Sequence, residues 1–259
     1  MPNTYGLAGL LLMTTLAVPI ATSAAVCAAK SGATTVALLE LYTSEGCSSC
    51  PPADRWVNDL PKRGFGTDRI VPLALHVDYW NSLGWTDRFS QAAFTQRQRE
   101  LARRAHSSTV YTPELKLNGR EYRRWSRGGL AADLEAINRR PTRADIALRL
   151  ERQGQTLRVG GTAALKQQVP AAGLYLALYE NNLSTEVRAG ENRGSALKHN
   201  FVVHRLLGPV AFDATGMARM NETLSLDAGW KTPDLGVAAF VQESNSVEVL
   251  QALALGVCS

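Results

Sequence analysis

The chain has 259 residues, 45% hydrophobic and 20% charged, enough for one large globular domain or two modest ones with real cores. Its net charge of +5 is a mild basic excess without any aromatic-interleaved basic motif, which excludes nucleic acid as an expected partner.

Leu7 to Ile20 is an apolar run too short for a comfortable membrane span and suited to the core of a signal peptide. Small residues follow it, and cleavage after Ala24 or Ala25 fits best, so residues 1–25 are assigned as a signal peptide. No later stretch approaches a membrane span. The mature chain is expected to carry no integral membrane segment and to be periplasmic or secreted, where disulfides persist. Cys27 and Cys258 lie near opposite ends of that mature chain, and domain termini often lie close together, so these two are expected to pair. A lipid-modified Cys27 is the competing reading, opposed by Val26 where such a signal wants a small residue.

Residues 34–140 alternate strand-like and helix-like patterns, which argues for an α/β domain. Thr35 to Tyr42 reads as a buried strand, followed by turn chemistry at Ser44, Gly46 and the cysteines. Pro51 and Pro52 suit the first turn of a helix, where a missing N–H costs nothing, and Ala53, Trp56, Val57 and Leu60 share its buried face. Ile70 to Val77 is a second buried strand. An aromatic-rich loop, Asp78 to Trp85, precedes a polar helix from about Asp87 to Ala105 whose Arg97, Arg99, Arg103 and Arg104 are expected to face solvent. Asn118-Gly119 between two strand-like runs is a strong hairpin signal, and a last helix runs from Gly128-Gly129 to about Arg139.

From Ala144 onward helix signals fade. Seven strand-like runs, 145–151, 155–163, 173–180, 199–207, 221–227, 235–242 and 246–254, are punctuated by turn residues, as in a β-sandwich. The expected organisation is therefore an α/β domain over residues 30–141 and a β-rich, sandwich-like domain over 144–258.

Cys47-Ser48-Ser49-Cys50 follows a strand and opens a helix. The partial positive charge of a helix N-terminus stabilises a thiolate, so Cys47, at the exposed end, is the expected nucleophile and Cys50 the resolving thiol. A C-x-x-C at such a junction in an exported α/β chain resembles the thioredoxin-like fold. That resemblance implies a cis-proline at Thr112-Pro113 opposite the cysteines, with the Thr112 backbone docking an extended peptide. Tyr79 and Trp80 are candidate walls of the same groove. The position before the first cysteine, aromatic in thioredoxins, is Gly46 here. The runs Glu40 to Asp54, His76-Val-Asp-Tyr-Trp80, Tyr111-Thr-Pro113 and Gly190-Glu-Asn-Arg-Gly194 are together similar to an exported bacterial family catalogued as domain of unknown function 1223. The resemblance spans nearly the whole mature chain and implies a thioredoxin-like N-terminal domain with a β-rich extension, but no particular substrate.

The expected activity is thiol–disulfide exchange with a protein or a small thiol or disulfide, using no cofactor beyond the dithiol and no assigned metal ligand. The alternative is a non-enzymatic binding module, either a Cu(I) or soft-metal carrier using the cysteines with His76, or a scaffold with a structural disulfide. His76 otherwise reads as a hydrogen-bonded core residue, Asp78 as a loop cap or proton acceptor, and Glu45 and Asp54 as charges flanking the thiols. The segment from Gly190 to Gly194 reads as a loop whose Glu191 and Arg193 contact the first half or form part of a binding surface.

Overall fold

The computed structural model describes residues 1–2 and 24–258. The apolar run at Leu7 to Ile20 lies outside the described residues. Fourteen described strands and three described α-helices build two main sheets and a small ribbon.

The first half contributes β2 (Ala37–Thr43) and β3 (Ile70–His76), paired in parallel, with the hairpin β4 (Glu114–Leu117) and β5 (Arg120–Glu121) added antiparallel to β2. Every residue of β2 and β3 is buried, which is why their sequences are apolar on both faces, apart from Glu40, Thr43 and His76, rather than alternating. The β4–β5 turn is Asn118-Gly119, both with positive φ, the backbone a two-residue hairpin of matching twist requires. Helices α1 (Pro51–Asn58), α2 (Ala92–Arg104) and α3 (Leu130–Asn138) pack against this part of the sheet. Pro51 and Pro52 occupy the first two positions of α1, and Ala53, Val57 and Leu60 are buried beneath it.

The second half supplies β8 (Ala172–Glu180), β11 (Val202–Ala211), β13 (Leu235–Glu243) and β14 (Val249–Gly256). These four do not form a sheet of their own. They extend the first one, in the order β14-β13-β8-β11-β3-β2-β4-β5. The seam is a parallel pairing of β11 with β3, Val202 opposite Ala74, where Ala74 N donates to Phe201 O at 2.8 Å.

A second sheet, β1 (Ala25–Lys30), β6 (Ala144–Gln153), β7 (Thr156–Leu165) and β12 (Met217–Ser225), covers the far face of β8 and β13. The alternation along β8 and β13 divides their side chains between two cores. Leu174, Leu176, Leu178, Val237, Ala239 and Val241 meet the second sheet, whereas Ala177, Tyr179, Ala238 and Phe240 join the core of the first half. A disulfide between Cys27 and Cys258 ties β1 to the segment after β14.

These findings correct the expected fold class. The described residues are β-rich, 43% strand against 19% helix, and do not form an α/β thioredoxin-like N-terminal domain followed by a separate β-rich one. The local pattern of residues 34–140 does alternate strand and helix. Its sheet, however, is completed along the free edge of β3 by strands from after residue 144, and no local periodicity records which strand lies beside which.

Arg97 is a second correction. It turns inward from α2, with Nε donating to Glu40 Oε1 at 2.6 Å and Nη2 to Gln242 Oε1 at 2.9 Å, and its guanidinium lies 5.0 Å and 5.2 Å from the Tyr175 and Phe240 rings. Burial of this cation is offset by a carboxylate in β2 and by acceptors and ring faces from β8 and β13. Phe240 is fully buried and stacks on Tyr175 at 4.8 Å, in a core shared with Leu38 and Phe94. Phe240→Ala is accordingly expected to lower stability by about 3–5 kcal/mol. Urea unfolding followed by tryptophan fluorescence and far-ultraviolet dichroism should shift as one transition; two separated transitions would contradict a core shared by both halves.

Candidate functional site

Cys47 and Cys50 are joined in a disulfide at the start of α1. Cys50 is the residue that caps the helix, its carbonyl accepting from Ala53 N at 2.9 Å and Asp54 N at 3.1 Å. Pro51 and Pro52 have no N–H to offer, so the helix supplies its dipole rather than free donors to a thiolate. Ser49 Oγ lies 3.3 Å from Cys47 Sγ and can donate to it. The same hydroxyl lies 3.5 Å from the carbonyl of Thr112, and the Thr112-Pro113 peptide is cis.

Trp80 is tied to this turn, its Nε1 donating to Thr112 Oγ1 at 2.7 Å. It also packs beside Gly46, where a Cβ would sit 3.3 Å from the Trp80 Cβ. Tyr79 stands further off, its hydroxyl donating to Gln98 Oε1 at 3.3 Å. Asp78 is tied to α2 through Thr95, whose hydroxyl donates to Asp78 Oδ1 at 2.5 Å and accepts from Asp78 N at 3.2 Å.

Cys47 is not exposed. Both cysteines are fully buried, while Ser48 and Ser49 between them face solvent. The cover comes from the loop between β9 (Leu183–Glu186) and β10 (Ala196–His199), an antiparallel ribbon of the second half. Asn192 Nδ2 donates to Glu45 O at 2.8 Å and Cys47 O at 3.0 Å, and Glu191 Oε2 accepts from Ser48 N at 3.0 Å. Gly190, at φ 70°, lets this loop come close to Trp85, whose Cβ lies 3.1 Å from where a Gly190 Cβ would be.

Beside the disulfide lies a buried polar cluster. His76 Nδ1 donates to Asp87 Oδ2 at 2.6 Å, and the same oxygen accepts from Glu45 N at 2.8 Å. Trp85 Nε1 donates to Glu45 Oε2 at 2.9 Å, and Thr43 Oγ1 to Asp54 Oδ2 at 3.0 Å. His199, at the end of β10, stands between the two acids, Nε2 at 3.3 Å from Glu45 Oε1 and Nδ1 at 3.9 Å from Asp54 Oδ1. Burial pulls its imidazole down, but Asp54 and Glu45 outweigh that and push it up to about 9. Burial raises the Glu45 carboxyl, yet its contacts with His199, Thr185 and Trp85 leave it below the usual range. Asp87 is likewise held low, with burial opposed by His76 and by the backbone N–H groups of Glu45 and Phe89.

Residues 38–242 match the family described as Protein of unknown function (DUF1223). The chain belongs to that family. Among solved structures, this DUF1223 chain is similar to protein AGR_C_4864 from Agrobacterium tumefaciens, 25% identical with a TM-score of 0.60, over 86% of this chain and 94% of that one. It is also similar in fold to HBP35 of Porphyromonas gingivalis, 16% identical with a TM-score of 0.64, over 88% and 76% of the two chains. No curated protein matches it.

The structure thus gathers Cys47, Cys50, Thr112, Pro113 and Trp80 at one place and leaves Tyr79 at its margin. Asp87, Asn192 and His199 were absent from the residues expected in the site. Asn192 had a signal, since it lies in the run Gly190 to Gly194; His199 and Asp87 had none beyond residue type. If Asn192 holds the cover, its two hydrogen bonds contribute about 2 kcal/mol together, or roughly 30-fold in opening. Asn192→Ala should then speed reduction of Cys47–Cys50 by dithiothreitol to that extent, read by trapping free thiols with maleimide. An unchanged rate would mean that the loop is not what limits access.

Proposed function

We propose that this DUF1223 chain works outside the cytoplasm as a thiol–disulfide oxidoreductase on a protein or small thiol or disulfide. The observation that carries the reading is the Cys47–Cys50 disulfide at the N-terminus of α1 with the Thr112 carbonyl alongside. Extracytoplasmic work is supported by the pairing of all four cysteines in disulfides. No described helix is long and apolar enough to cross a membrane.

In the oxidising direction a substrate thiolate attacks Cys47 Sγ, the Cys47–Cys50 bond breaks, and Cys50 leaves as the thiolate. A second substrate thiolate then attacks the mixed disulfide at the substrate sulfur, releasing Cys47. The substrate loses two electrons to the Cys47–Cys50 disulfide, which becomes the dithiol, and gains a disulfide of its own; the reverse sequence reduces a substrate. Ser49 Oγ stabilises Cys47 as it leaves, and the Thr112 backbone and Trp80 flank the approach. Access to Cys47 requires the Glu191 and Asn192 contacts to part.

Reduction potential and trapping test this directly. The couple should lie between about −120 and −270 mV in glutathione buffers, and Cys50→Ser should accumulate mixed disulfides on Cys47 that Cys47→Ser does not. A potential below about −300 mV, with no adducts on Cys50→Ser, would make the bridge structural and end the enzymatic reading.

A further inference from the structure

The polar cluster next to the disulfide contains more buried donors and acceptors than its own members satisfy. Four buried atoms in it make no well-formed hydrogen bond among the described residues: His76 Nε2, both ring nitrogens of His199, and Glu45 Oε1; His199 Nε2 and Glu45 Oε1 face each other at 3.3 Å, which leaves His76 Nε2 and His199 Nδ1 without a close partner. His76 is fully buried and His199 nearly so, at 3% exposure. Native proteins pair the great majority of such atoms, and two imidazoles 5.1 Å apart, each with one buried nitrogen left over, is a pattern that fits a ligand.

The arrangement names the ligand class. Asp54, His76 and His199 each offer one donor atom within 4.8 Å of the others. Ligands of a four-coordinate zinc ion stand about 3.3 Å apart at bond lengths of about 2.0 Å, so the side chains need to close by only about an ångström or so. The outer partners fit too. Asp87 accepts from His76 Nδ1, which leaves the Nε2 lone pair free. Glu45 lies on the Nε2 side of His199, which turns Nδ1 toward Asp54. A carboxylate behind each imidazole is the support that orients histidine ligands and raises their basicity. Thr43 holds the other oxygen of Asp54. A cavity of about 150 Å³ lined by Asp54, His199, Pro51 and Leu197 gives an ion a way in from the gap between α1 and β10.

We propose that Asp54, His76 and His199 bind a borderline divalent transition-metal ion, zinc by preference, through one carboxylate oxygen, His76 Nε2 and His199 Nδ1. Two imidazoles and a carboxylate suit zinc rather than Cu(I), which favours thiolates, or calcium and magnesium, which favour oxygen alone. The fourth position is open to water. No cysteine is a ligand, so metal binding is tested apart from thiol exchange and can fail without it.

The test uses the oxidised protein, in which both cysteine pairs are locked in disulfides. Titration with Co2+ should give one equivalent bound, with four-coordinate ligand-field absorption, no thiolate charge-transfer band, and displacement by Zn2+. His199→Gln and Asp54→Asn should each weaken binding at least tenfold, and Asp87→Asn, which removes the carboxylate behind His76 but no ligand, by about 10- to 100-fold. Circular dichroism and thermal melts check that the variants fold. Where one does not, zinc K-edge X-ray absorption of the oxidised wild type decides: a nitrogen and oxygen shell with two imidazoles supports the site. Failure of the oxidised protein to bind, binding that appears only on reduction, sulfur in the metal shell, or variants that bind like wild type would each overturn it.

Discussion

The parallel pairing of β11 with β3 is the constraint on which the rest depends. It is short, Val202 opposite Ala74 with Ala74 N donating to Phe201 O, yet it sets where every residue before β11 must lie. His199 sits three residues upstream of Val202, so the seam delivers the end of β10 onto α1. Two hydrogen bonds latch it there: Asn58 Nδ2 donates to Lys198 O at 2.8 Å, and Asn200 N donates to Asn58 Oδ1 at 2.9 Å. With β10 fixed, the loop preceding it can lie only across the Ser44 to Ser49 turn, and Asn192 and Glu191 reach the cysteines. A chain whose halves folded without that seam would have neither the cover over Cys47 nor the histidine between Glu45 and Asp54.

Burying so many ionisable groups in one place works because each carboxylate faces hydrogen-bond donors. Glu45, Asp54 and Asp87 are separated by His76 and His199, and backbone N–H groups complete Asp87. A carboxylate left alone at this depth would be protonated or would unfold its surroundings. The cluster bears on the thiol chemistry as well. Glu45 and Asp54 oppose a thiolate on either cysteine, whereas a cationic partner on His199, proton or metal, reduces their field. The electrostatic environment of Cys47 therefore includes this cluster as well as the helix dipole.

Much of the local structure was legible in the sequence, because period and turn chemistry are local. Thr35 to Tyr42 and Ile70 to Val77 read as buried strands from their predominantly apolar composition, and they contain most of β2 and all of β3. Asn118-Gly119 marked the hairpin, and Pro51-Pro52 marked the start of α1. The lateral order of strands was not legible. A mostly apolar β3 says that both faces are covered; it does not say that one edge belongs to a strand more than a hundred residues later. The short ribbon of β9 and β10 also escaped, since four-residue strands with half their side chains exposed have the composition of a loop. Arg97 misled for a related reason: in a helix rich in arginine, only the tertiary position of Glu40 and Gln242 distinguishes the buried one.

The same limit explains why the candidate site read as simpler than it is. A C-x-x-C is contiguous, so Cys47 and Cys50 announce themselves, and the first-half residues around them follow by analogy of order. What restrains them comes from the second half. Asn192 holds the carbonyls of Glu45 and Cys47, and His199 stands against the acids on either side of the disulfide. The β-rich segment is thus a physical part of the cysteine environment and not an appended module. Any reaction at Cys47 must disturb the Asn192 loop, which adjoins β10 and hence His199. Opening the cover and changing the charge state of the buried cluster are mechanically linked through the short ribbon that carries both residues.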